Sequence, residues 1–150
     1  MLQVGSPFPD FSLQDQNGQT HTLAGLQGKK FVVYFYPKDD TPGCTTESCE
    51  FRDLAPKADG YLIFGVSPDS TKSHKKFADK FSLPFPLLAD TEQALCNAVG
   101  VWAEKSMYGK TYMGVARTTF AVDENGTVTH VWEKVKPAGH AAEVAAALGS

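Results

Sequence analysis

The chain lacks the features that mark proteins of membranes, nucleic acids or oxidising compartments. No apolar stretch approaches the roughly 18 residues that span a bilayer. The opening Met1-Leu2-Gln3-Val4-Gly5-Ser6-Pro7 has neither the basic region nor the apolar segment of a secretory signal, so a cytoplasmic protein with no membrane association is expected. Lysine and arginine form no block and the net charge is −3, which argues against nucleic acid as a partner. Three cysteines, an odd and small number, make no secreted disulfide framework, and in a reducing compartment a close pair points to catalysis. His21, His74, His130 and His140 are scattered, and no second cysteine pair accompanies Cys44 and Cys49, so no metal is expected. Repeats and low-complexity tracts are absent. A length of 150 residues with 42% hydrophobic content suits one domain, 1–150, with one core.

What is present alternates in period. Phe11 to Asp15 and Gln19 to Leu23 alternate apolar and polar residues around Asn17-Gly18, predicting an N-terminal β-hairpin. Phe31 to Tyr36 and Tyr61 to Val66 read as strands buried on both faces, and Leu83 to Leu88 as a third strand interrupted by proline. Helices are predicted from Cys44 to the break at Pro56 to Gly60, and after Ser70 to Phe81. A short helix carries Leu95, Cys96 and Val99, capped by Asp90 or Thr91 and closed by Gly100. Thr118 to Val122 and Thr127 to Trp132 are strands joined by a turn at Asp123 to Gly126, and an Ala-rich helix ends the chain. The expected class is α/β, a mixed sheet flanked by helices.

The run from Tyr36 to Cys49 is where a reactive thiol would be built. Thr41 suits an N-cap and Pro42 the first helical position, placing Cys44 in the first turn, where open N–H groups and the helix dipole favour an anion, here the nucleophilic thiolate. Five residues along an ideal helix give a rise of roughly 7.5 Å and a rotation of roughly 140°, so Cys44 and Cys49 point apart with Cα atoms roughly 8 to 9 Å distant. A disulfide between them requires the first turns to unwind. Glu47 reads as a first-turn residue favoured by the dipole, with a part in catalysis as the alternative. Trp102, Phe51 and Tyr34 read as core aromatics, and Cys96 as a buried, inert thiol.

Four blocks, Gly5 to Phe11, Tyr34 to Cys49, Gly100 to Lys110 and Ala116 to Asp123, resemble the peroxiredoxins, in particular the PrxQ or bacterioferritin-comigratory type. The pattern Pro37-x-x-x-Thr41-x-x-Cys44 carries the resemblance most specifically, and Cys44-Thr45-Thr46-Glu47-Ser48-Cys49 is similar to that type's resolving-cysteine motif. The resemblance implies a thioredoxin-like fold and a thiol-dependent peroxidase acting on hydrogen peroxide and organic hydroperoxides, needing no metal or organic cofactor. It implies Cys44 as the peroxidatic cysteine, Cys49 as the resolving cysteine, and re-reduction by thioredoxin or a similar dithiol. It further implies Arg117 against the sulfur, Thr41 bonding sulfur or substrate, Pro37 and Pro42 lining the pocket, Gly43 admitting substrate to the backbone, and a monomer. Peroxide preference would depend on how Trp102 to Tyr112 folds over Cys44. Cys96 keeps a second resolving route open. A protein-disulfide oxidoreductase or a redox sensor using the same cysteines are the rival readings; the former would normally carry Cys-x-x-Cys.

Overall fold

The computed structural model describes residues 1–58 and 60–149. Its framework is a five-stranded mixed sheet made of β3 (Lys30–Phe35), β4 (Tyr61–Ser67), β5 (Leu87–Ala89), β8 (Thr118–Val122) and β9 (Val128–Trp132) in the order β5-β4-β3-β8-β9. β3 pairs in parallel with β4 and antiparallel with β8, bringing the end of β3 (Phe35) beside the start of β8 (Thr118). The two long apolar runs fill the centre, as strands covered on both faces must.

Alternation along β3 divides two cores. Phe31, Val33 and Phe35 face a cluster with Phe8, Leu95, Cys96 and Val99, under α3 (Ala94–Val99) and the N-terminal hairpin of β1 (Ser12–Gln14) and β2 (Thr20–Thr22). Val32, Tyr34 and Tyr36 face the other cluster with Cys44, Phe51, Phe77 and Val144, under α1 (Pro42–Leu54), α2 (Thr71–Phe81) and α4 (His140–Leu148). Tyr34 positions α1: its ring stacks on Phe51 at 4.6 Å and its hydroxyl lies 2.8 Å from Ser48 Oγ.

The predicted elements recur with three differences. Leu83 to Pro86 is irregular and β5 begins only at Leu87, because the prolines lack ladder donors and Leu83 N–H closes the end of α2 on Ala78 O. Asp90 does cap α3, but from outside the helix, accepting from Leu95 N and Cys96 N. A further hairpin joins β6 (Trp102–Met107) to β7 (Lys110–Val115) through Tyr108 and Gly109, both at positive φ. Its sequence shows the two-residue turn but not the apolar alternation that signals strands.

Gly65 lies in the middle of β4, where a Cβ would fall 2.9 Å from the Tyr34 ring and 2.8 Å from Leu87 Cδ2. Gly65→Ala is expected to destabilise the chain by about 1–3 kcal/mol through overpacking. An unchanged Tm would show that the Tyr34 ring yields freely.

Candidate active site

The crossing of β3 and β8 decides the site. α1 starts just beyond the end of β3, and Arg117 immediately precedes β8, so the antiparallel register delivers the arginine to the first turns of the helix. Arg117 Nη2 donates to Cys44 Sγ at 3.2 Å and Nη1 to Glu47 Oε1 at 2.8 Å. Cys44 is fully buried, and so is the Glu47 side chain. Burial works against the Arg117 charge, but Cys44 and Glu47 more than offset it and hold the guanidinium above its ordinary value. Burial pushes the Glu47 carboxyl up to about 7 despite the opposing pull of Arg117.

The helix start has the expected positions with one altered bond. Thr41 is the N-cap residue and Pro42 the first helical residue, but the Thr41 hydroxyl donates to Lys38 O at 3.0 Å instead of capping. Among the described residues, the Gly43 and Cys44 N–H groups find no protein acceptor, leaving an open helix terminus at the sulfur. Gly43 admits the arginine: a Cβ there would lie 3.2 Å from Arg117 Nη2 and 3.3 Å from Pro137 Cγ. Pro37 is half-buried after β3 and Pro42 is exposed. Glu47 sits in the second turn of α1, not the first, and meets the arginine because its helical phase faces β8.

Cys44 and Cys49 are free thiols on one unbroken helix, the first buried and the second partly exposed. Cys96 belongs to the core on the opposite face of the sheet from Cys44, so the sheet stands between those two sulfurs. Burial, with Asp90 beside it, pushes the Cys96 thiol well up. Burial and the Arg117 charge lower the pKa of Lys105 on β6, while Cys44 pulls the other way.

The sequence profile of the AhpC/TSA family matches residues 4–131. The chain belongs to the AhpC/TSA family, among its Bcp/PrxQ peroxiredoxins. It is 47% identical to Peroxiredoxin Bcp of Bacillus subtilis (strain 168), over 95% of this chain and 92% of that one. The solved Xanthomonas campestris bacterioferritin comigratory protein, described for alkyl peroxide reduction, is 45% identical with a TM-score of 0.90, covering 99% of this chain and 96% of its own. A mutant of Xylella fastidiosa PrxQ gives a TM-score of 0.94 at 35% identity, with the same coverage. These are thioredoxin-like peroxiredoxin structures, and the peroxiredoxin described here shares their α/β arrangement. None of its helices is long and apolar enough to cross a membrane among the described residues. A groove of about 580 Å³ beside His21, Tyr61, Phe64 and Phe85 is lined by none of Cys44, Glu47 and Arg117.

The raised Glu47 pKa carries a signed pH dependence. The folded chain holds this proton more tightly than the unfolded chain, so the Glu47 contribution to stability is full below about pH 4.5 and is lost as pH rises to about 7, a loss on the order of 3 kcal/mol. Glu47→Gln removes the titration, so the Tm of the variant relative to wild type is expected to climb between those pH values. A flat difference would contradict a raised Glu47.

Proposed function

We propose that this peroxiredoxin reduces hydrogen peroxide and organic hydroperoxides with Cys44 as the peroxidatic residue, resolves through Cys49, and is reset by a thioredoxin-type dithiol. The observation that carries the reading is the single guanidinium held between Cys44 Sγ and the buried Glu47 at the open start of α1. The Cys44 thiolate attacks one peroxide oxygen, the O–O bond breaks, and the leaving oxygen takes a proton to become water or alcohol. Cys44 is thereby oxidised to a sulfenic acid. Arg117 stabilises first the sulfur charge and then the charge spreading over the peroxide oxygens, aided by the free N–H groups of Gly43 and Cys44.

Thr41 has its own proton committed to Lys38 O, so its lone pairs remain to accept the hydroperoxide O–H and orient the attack. Pro37 and Pro42 wall the pocket, and Gly43 gives Arg117 room to reach the sulfur. In the second step the Cys49 sulfur attacks the sulfenic sulfur, a disulfide forms, and the hydroxyl leaves as water with the Cys49 proton. The partly exposed thiol suits this role, and Cys96 does not, lying across the sheet. Thiol–disulfide exchange then returns both thiols and oxidises the dithiol reductant. Since both cysteines belong to one helix, the cycle needs no second chain and is that of a monomer.

Arg117→Ala is expected to slow the peroxide step about a hundredfold, read by rapid mixing, the scale of removing one preorganised donor from developing charge. An unchanged rate removes its assigned role. Cys49→Ser should complete one round of peroxide reduction and stop with a sulfenic acid on Cys44. Peptide mapping of the wild type after one equivalent of peroxide is expected to show a Cys44–Cys49 bridge with Cys96 free; a Cys44–Cys96 bridge would overturn the resolving assignment.

A further inference from the structure

Upstream of α1 the chain is tied to its neighbours through one buried carboxylate. Asp39 Oδ2 lies 2.7 Å from His74 Nδ1 and accepts from Ser73 Oγ at 2.8 Å, while Oδ1 accepts from Tyr36 Oη at 2.6 Å. His74, fully buried on α2, turns its other ring nitrogen to Leu88 O at 3.0 Å; a carbonyl only accepts, so Nε2 carries a proton. Asp39 N–H donates to Asp69 Oδ2 at 2.8 Å, and Ser67 Oγ donates to the same oxygen at 2.7 Å. Ligand atoms of Asp39, Asp69 and His74 lie within 4.8 Å of one another, as a metal site would need, but the protein's own donors already fill them. The cluster therefore fastens a loop to α2 and β5, and the loop it fastens leads into the peroxidatic cysteine.

The position of this fastening matters for the second step. The segment that must unwind runs from Pro42 to Cys49, and Asp39 anchors its upstream end. The downstream end is also fixed to α2, since Arg52 Nη1 donates to Phe81 O at 2.9 Å and approaches Cys49 Sγ at 3.7 Å. We infer that Asp39 and His74 are positioning residues that set how readily the start of α1 opens for disulfide formation. This rests on the peroxidase reading above.

Loosening the anchor multiplies a small open population almost in proportion while leaving the closed majority nearly unchanged. His74→Gln is therefore expected to speed disulfide formation about tenfold, the scale of one hydrogen bond to a charged group. The peroxide step should change less than about twofold, and the fraction of Cys44 driven to sulfinic acid at high peroxide should fall. Both steps are read by rapid mixing with quenched mass spectrometry. Ser73→Ala, at a half-buried position, is expected to move the steps the same way by about threefold and decides the matter if His74→Gln does not fold. Asp90→Ala supplies the structural control, because it removes the α3 cap on the far face of the sheet and should lower Tm without accelerating resolution. Resolution that is unchanged or slowed in a folded anchor variant, or accelerated equally by Asp90→Ala, would overturn the inference. A wild type lacking the two phases would instead remove the peroxidase reading beneath it.

Discussion

The Arg117 guanidinium is the constraint around which the site is arranged. A cation taken out of water needs partners, and this one has a sulfur on one nitrogen and a carboxyl on the other. Burial pushes Glu47 up to about 7 against the pull of Arg117, and its bond to Nη1 fixes the direction in which Nη2 meets the sulfur. One guanidinium is thus shared, Nη1 on the carboxyl and Nη2 on the sulfur.

The sheet adds a second constraint by sorting the thiols. Strand alternation sends the side chains of Val33 and Val32 into different cores, and the cysteines follow: Cys96 with the first, Cys44 with the second. In its apolar core beside Asp90, Cys96 is held far from the ionised form that thiol chemistry requires. Cys49 shares the helix of Cys44 and keeps access to solvent. One chain thus carries three cysteines and, on the proposed cycle, offers a Cys44 sulfenic acid only Cys49 as partner.

The legible parts of the sequence were those where local chemistry and tertiary context agree. Phe31 to Tyr36 and Tyr61 to Val66 have no polar face and form the central strands; Thr41-Pro42 marks the helix start whatever packs on it. Readings went astray where distant atoms took over a local role. Lys38 O takes the Thr41 hydroxyl from the cap expected of it, and the arginine for which Gly43 leaves room comes from far along the chain. His74 looked like one of four scattered histidines because its partner, Asp39, is 35 residues away in sequence. Leu83 to Pro86 had the composition of a strand but also the end of a helix to close. Glu47 was visible as a residue, but its meeting with Arg117 depends on the phase of α1 against β8, which no local pattern encodes.

The proposed cycle asks one helix for two incompatible things. Reaction with peroxide needs α1 intact from its first residue, because the free N–H groups and the Arg117 contact exist only while Pro42 to Glu47 are helical. Disulfide formation needs that stretch undone, since an ideal helix keeps the two Cα atoms roughly 8 to 9 Å apart, beyond disulfide reach. A helix held only by its own hydrogen bonds would have no setting between these demands. Ties beyond its own ladder, Asp39 to His74 on one side and Arg52 to Phe81 on the other, hold its two ends against α2. These ties are a few hydrogen bonds, and the ring stack that anchors α1, Phe51 on Tyr34, lies beyond Cys49, so opening of the first turns can stay within reach of thermal fluctuation. On that proposal, the rigidity that holds Cys44 for peroxide and the looseness that lets Cys49 reach it rest in part on the same polar contacts.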